Sequence, residues 1–244
     1  MLNRGRSRDP AIVAVMVLVA AALFGVYRAA KPPAAPAPTL PPSNAPTLPL
    51  LKPSDNAPSL IPPGCEQVTI KRAVDGDTAE LSDGRRVRYL GIDTPEHNQS
   101  FFEEAKRLNA QMVEGKTAWL EFDAEKTDRY GRLLAFVWTK DGGERMVSAE
   151  MLRAGLARVY TPGPNARHKD ALLACQREAR ENKRGSWANY VFEEGSWVTT
   201  RSGHAFHKPG CDALREANAS TLKTWTSRDQ VMDAGFSPCR TCKP

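Results

Sequence analysis

The chain has 244 residues, room for one or two domains, and its 41% hydrophobic and 25% charged content is ordinary for a globular protein. A net charge of +6 permits a polyanionic partner without establishing one. Five cysteines, three of them near the C-terminus, exclude a distributed disulfide framework and point to a local site.

In chain order, Arg4, Arg6 and Arg8 precede an unbroken apolar run from Ala11 to Val26. This predicts a transmembrane signal-anchor helix over residues 11–30, with residues 1–10 in the cytoplasm. The run spans roughly 24 Å, a little short of the ~30 Å hydrocarbon core. Tyr27 at the interface and a snorkelling Arg28 make up the difference. The excess of arginine ahead of the run places the rest of the chain on the periplasmic or extracellular side. A second reading stays open: a secretory signal cleaved among the small residues at 29–37, which would release the chain. Residues 31–63 hold 12 of the 19 prolines and predict an extended, disordered spacer reaching up to about 100 Å.

The first folded unit occupies residues 64–190. Val68 and Ile70 alternate with polar neighbours as a half-buried strand does. Asp75-Gly76-Asp77-Thr78 is a turn, a short strand follows over 79–81, and Ser82-Asp83-Gly84 turns into a third strand over 86–92. Phe102, Ala105, Leu108 and Met112 carry a helix over 101–114. Strands follow at 119–122 and 133–138, then helices at 147–154, closed by Gly155, and at 168–183. Five short strands with a helix between the third and fourth is the order of an oligonucleotide-binding barrel. The expected fold is therefore α+β: a five-stranded OB-fold β-barrel with three helices.

Three segments concentrate charge where a core has no need of it: Asp75-Gly76-Asp77-Thr78, the run Arg88 to Glu96 (RYLGIDTPE), and Thr127 to Arg132 (TDRYGR). Each alone reads as turn or capping chemistry. Together, in this order, they resemble the staphylococcal-nuclease (thermonuclease) family over about residues 66–187. The resemblance implies a calcium site at Asp77, Asp93 and the Thr94 carbonyl; hard oxygen donors suit that ion. It implies Glu96 as the general base that activates water. It implies Arg88 and Arg132 as the guanidinium groups that grip the phosphate in the transition state. Tyr130 resembles a tyrosine near the phosphate, and Tyr160 resembles one of two nucleotide-contacting tyrosines. Two features depart from the family: the segment from His97 to Phe102 is short, and the second tyrosine is missing. Strict alternation would put Arg88 and Asp93 on opposite faces of one strand, so a bend or break is predicted near Gly91.

Residues 197–244 form a separate small module. His207, Cys211, Cys239 and Cys242 give H-x3-C…C-x2-C, a spacing and donor set suited to tetrahedral zinc. From about residue 200 onward the segment resembles the zinc module of the bacterial methylphosphotriester DNA-repair protein. There the first ligand is a methyl-accepting cysteine; here the position holds His207, so methyl transfer is not expected and a structural or DNA-contacting zinc knob is implied. In an oxidising compartment the same cysteines can form disulfides instead. The remaining Cys65 and Cys175 can pair there as well, stapling the third helix to the first strand.

Three function classes follow. The first is a calcium-dependent nuclease acting on DNA, RNA or both. The second is a catalytically silent, membrane-anchored nucleic-acid-binding module, as for DNA uptake. The third is an interaction scaffold, for which only the spacer and zinc knob speak. The intact set Asp77, Arg88, Asp93, Glu96 and Arg132 favours the enzyme, because a binder has no need of all five. No obligate protein partner is implied.

Overall fold

The computed structural model describes residues 59–244. The predicted transmembrane helix and the spacer up to residue 58 lie outside the described residues. Among the described residues, no helix is long and apolar enough to cross a membrane.

Strand β1 (Glu66–Ala73) alternates exposed and buried positions, with Val68 and Ile70 turned inward. It pairs antiparallel with β2 (Thr78–Leu81), which pairs antiparallel with β3 (Arg86–Tyr89). On its other edge β1 pairs with β5 (Thr117–Thr127), and β5 pairs with β6 (Leu133–Thr139). A parallel pairing of β3 with β6, through Val87↔Leu133, Arg88↔Leu134 and Tyr89↔Ala135, closes the sheet on itself. The result is the expected five-stranded barrel, whose closure leaves no free edge among these strands. Ile70, Leu81, Val87, Tyr89, Leu120 and Phe136 fill its interior. Burial of each such apolar side chain stabilises the fold by roughly 1.5–3 kcal/mol before entropy is set against it.

Helix α1 (Phe102–Val113) lies between the third and fourth barrel strands, as predicted. Helices α2 (Val147–Arg153) and α3 (Lys169–Glu181) pack against each other and bring Met151, Leu152 and Leu172 to the same core. The predicted third strand is two strands. β3 ends at Tyr89, and β4 (Gly91–Asp93) pairs with β8 (Arg158–Tyr160) in a small sheet of its own. The predicted break near Gly91 is there: its φ is +83°, and a Cβ on it would sit 2.2 Å from Leu172 Cδ1. A side chain would fit neither the left-handed backbone nor the space. The short β7 (Arg145–Met146) and β8 went unforeseen, because two or three residues show no period.

The C-terminal segment has a sheet of four strands ordered β11-β9-β10-β12, comprising β9 (Glu194–Thr200), β10 (Ala205–His207), β11 (Leu222–Ser227) and β12 (Ser237–Pro238). Ser227 caps the short helix α4 (Arg228–Asp233) by accepting from the Gln230 N–H. Its core of Trp197, Phe206, Val231 and Met232 is completed by Ala179 of α3 and by Trp187. Arg180, almost fully buried, donates to Asp233 at 3.0 Å and lies 3.4 Å from Asp229. Ser237 Oγ donates to the Val159 carbonyl of β8. These contacts seat the segment against the β4–β8 side of the barrel domain.

Candidate active site

Hairpin register and a backbone break build the site. The pairing Thr78↔Arg88 sets Asp77 beside the end of β3, and the Tyr89 N–H donates to the Asp77 carbonyl. Gly76 leaves room for Thr94: a Cβ there would lie 2.7 Å from Thr94 Oγ1. Thr94 uses that room to donate to Asp77 Oδ2 from both its N–H (3.0 Å) and its hydroxyl (2.8 Å). Asn109, fully buried on α1, accepts from the Tyr89 hydroxyl and donates to the Asp75 carbonyl, tying the helix to the turn.

Because the strand breaks at the left-handed Gly91, its alternation is interrupted and Asp93 comes to face Arg88. The Arg88 guanidinium bridges two carboxylates, with Nη1 2.8 Å from Asp77 Oδ2 and Nη2 3.3 Å from Asp93 Oδ1. Its Nη2 also donates to the Ile92 carbonyl at 2.9 Å. Burial pushes the Asp77 carboxyl up to about 6, against the opposing pull of Arg88 and the Thr94 hydrogen bonds. Two carboxylates that share one guanidinium lie close enough to share one cation. Their donors are hard oxygens, the kind that calcium takes. Glu96 stands two residues beyond Thr94 in an exposed turn closed by Gln99, and makes no ion pair with a described residue. It shares a cleft of about 610 Å³ with Asp93 and Thr94.

Arg132 sits at the mouth of β6. Since Arg88 pairs with Leu134, Arg132 falls on the same face of the barrel, one step back. Its Nε and Nη2 both meet Asp128 Oδ2 at 2.7 Å, so among the described residues it does not touch Asp77 or Asp93. Tyr130 is largely exposed, accepts from Arg129 Nη2, and lines a different depression with Arg86 and Arg132. Tyr160 lies on β8 opposite Gly91.

A profile described as "Staphylococcal nuclease homologue" matches residues 86–189. The chain is 36% identical over 164 residues to "SPbeta prophage-derived endonuclease YokF" of Bacillus subtilis (strain 168), covering 63% of this chain and 53% of that protein. It is 38% identical over 141 residues to "Endonuclease YncB" of the same organism, covering 52% and 65%. It is 33% identical over 131 residues to "Thermonuclease" of Staphylococcus intermedius, covering 50% of this chain and 76% of that protein. This chain belongs to the staphylococcal nuclease family. It spans about half the length of the first of these relatives and just under two thirds of the second. Of the five residues expected to carry the chemistry, the family profile takes in Arg88, Asp93, Glu96 and Arg132, while Asp77 lies ahead of it.

The second cluster is far from any family motif in sequence. His207, Cys211, Cys239 and Cys242 converge, each offering a ligand atom, with those atoms within 4.8 Å of one another. His207 Nδ1 is buried without a hydrogen-bond partner, and burial pushes its imidazole down, which favours the neutral, ligating form. Burial alone would raise the Cys239 thiol, but N–H donors of Cys242 and Thr241 hold it below its usual value. Three sulfurs and an orphaned ring nitrogen at this spacing fit zinc.

All five cysteines are free thiols. Cys65 and Cys175, which could pair in an oxidising compartment, stand here as separate thiols. Cys65 sits beside Glu121 and Arg167, whereas Cys175 turns toward Arg153, Glu178 and Glu150 at the α2–α3 contact. The two thiols occupy different parts of the core.

The family motifs did not reveal Arg158 or Arg240. Arg158 is the cross-strand partner of Asp93, and its guanidinium lies 4.8 Å from the centre of the Trp187 ring. Arg240, in the chain between Cys239 and Cys242, places Nη2 3.0 Å from Asp93 Oδ2. Asn109 did leave a signal: it is a polar residue four positions from Ala105 on the apolar face of α1.

Proposed function

We propose that this chain is a calcium-dependent nuclease that hydrolyses phosphodiester bonds of DNA, RNA or both. The observation that carries the reading is the bridging of Asp77 and Asp93 by Arg88 beside an unpaired, solvent-facing Glu96. The names of the relatives, endonuclease and thermonuclease, support it.

In this reading Glu96 accepts a proton from a water molecule as the water oxygen bonds to phosphorus and the bond to the leaving oxygen breaks. Arg88 donates to the phosphate oxygens as charge builds on them. Arg132 leaves Asp128 to donate from the other side of the phosphate, which their shared barrel face allows. Asp77, Asp93 and the Thr94 carbonyl would hold calcium, which would supply positive charge to neutralise and orient the phosphate. Tyr130 and Tyr160 contact substrate on either flank. The C-terminal cluster holds structural zinc through His207, Cys211, Cys239 and Cys242, in a module that resembles a DNA-contacting knob. The apolar run from Ala11 tethers the enzyme to the membrane with the barrel outside the cytoplasm, or is cleaved to release it.

The test is cleavage of single- and double-stranded DNA and RNA by the full chain, with calcium or chelator, beside Glu96→Gln and Arg88→Ala. Cleavage that needs calcium and falls by about a hundredfold or more in either variant is the expected result. A folded, calcium-binding chain that holds nucleic acid without cutting it would replace this reading with a silent binding module.

A further inference from the structure

The cleft that holds Glu96 has two walls, and the second belongs to the C-terminal segment. Asp93 and Glu96 line it from the barrel, with Arg158 at the base of β8; Arg228, Arg240 and Lys243 line it from the other side. Arg228 is already held by Glu193 and by the Pro244 oxygen, which leaves Arg158, Arg240 and Lys243 facing Asp93 and Glu96, and both carboxylates already have a place in the proposed reaction. Such an excess inside a concave wall favours an anion.

The cations are held ready. The Arg158 guanidinium is confined by the Trp187 ring and makes no ion pair or hydrogen bond with a described residue. Burial and the nearby Arg228 oppose its charge, so an anion entering the cleft relieves it. Lys243 has a left-handed backbone, φ +44°, and its N–H donates to the Cys239 carbonyl. Its ammonium is likewise without an ion pair among the described residues. Arg240 leaves a loop pinned by the Thr241 N–H to Cys239 Sγ contact and reaches Asp93. Its side chain is 76% exposed, so the pair adds little stability and is readily exchanged. The seating of the segment does not depend on that pair, because Arg177 and Arg180 already grip Asp233.

Arg88 and Arg240 flank the same carboxylate, at 3.3 Å and 3.0 Å. A strand whose scissile phosphate meets Arg88 therefore carries its next phosphate toward Arg240. We propose that Arg158, Arg240 and Lys243 form a second phosphate-binding subsite, in which the C-terminal segment holds a backbone phosphate adjacent to the scissile one. The subsite rests on the nuclease reading for the position of the scissile phosphate. It makes a run of nucleotides, rather than a single phosphodiester, the preferred ligand.

The experiment measures binding by the full chain in a Glu96→Gln background with calcium present. The probes are a short single-stranded DNA oligonucleotide and a dinucleotide, which carries one phosphodiester. The parent binds the oligonucleotide more tightly. In Arg240→Ala/Lys243→Ala this advantage shrinks by about tenfold, and the salt slope for the oligonucleotide falls by roughly 0.7 for each phosphate no longer neutralised. Arg240→Lys restores part of it. Arg215→Ala, an exposed arginine paired with Asp212 on another face, controls for bulk charge and leaves the ratio unchanged. An unchanged ratio in the double variant overturns the subsite. So does an equal weakening of both probes, or an equal effect of Arg215→Ala. Cleavage by the unaltered chain, with Glu96 in place, is scored separately: its absence removes the nuclease reading, and the binding ratio still decides the subsite.

Discussion

Gly91 is where barrel strand β3 gives way to β4, and Gly91→Ala tests whether that break is built by sterics. An alanine at φ +83° pays roughly 1–2 kcal/mol for left-handed backbone. Its Cβ would also lie 2.2 Å from Leu172 Cδ1, and overpacking of this kind costs about 1–3 kcal/mol. The expected destabilisation is about 2–5 kcal/mol, a fall in Tm of roughly 6–15 °C for a chain of this size. Leu172→Ala alone costs about 2–5 kcal/mol, because the side chain is fully buried. The double variant has no clash but keeps the backbone strain, so its cost falls short of the sum by about 1–3 kcal/mol. Urea denaturation of the four proteins measures this cycle. Additivity within about 0.5 kcal/mol would refute the contact as the reason for glycine. A single-variant loss below about 1 kcal/mol would refute the strain argument as well.

Glu121, almost fully buried on β5, accepts from Trp138 Nε1, Arg167 Nη1 and His168 Nε2, so Glu121→Ala should cost about 3 kcal/mol by stranding those donors. Burial opposes its charge, but the three hydrogen bonds win and hold the carboxyl below its ordinary value of 4.5. Its stabilising effect is therefore complete above that pH and lost as pH falls below it, so the stability gap between parent and Glu121→Gln narrows in acid; a gap that widens there refutes the assignment. For the C-terminal cluster, metal analysis should find about one zinc per chain, released by chelator or by Cys239→Ser with a fall in Tm. All five thiols should titrate in the denatured, chelated chain; fewer would restore the disulfide alternative.

The sequence by itself determined the parts that depend on neighbours in the chain. The alternation through Val68 and Ile70 and the apolar stripe of α1 specify their elements through periodicity alone. Asp75-Gly76-Asp77-Thr78 leads into a hairpin whose register brings Asp77 to Arg88, two strands joined by a tight turn. Even the break at Gly91 was legible, because two residues five apart on a continuous strand must face opposite ways. What only the tertiary structure decided are contacts between segments far apart in sequence. The parallel β3–β6 pairing that closes the barrel is one, and the three-residue strand β8 that sets Arg158 opposite Asp93 is another. Arg132 was legible as a residue but not in its present hold on Asp128, since a long side chain chooses among acceptors that only the folded loop presents. Arg240 is the extreme case, 147 residues from Asp93. Nothing local to the Cys239–Cys242 loop reveals the carboxylate it meets. That is fixed by the burial of Trp187 and Ala179 in the core of the C-terminal segment and by Arg180 against Asp233, packing terms that have no period in the sequence.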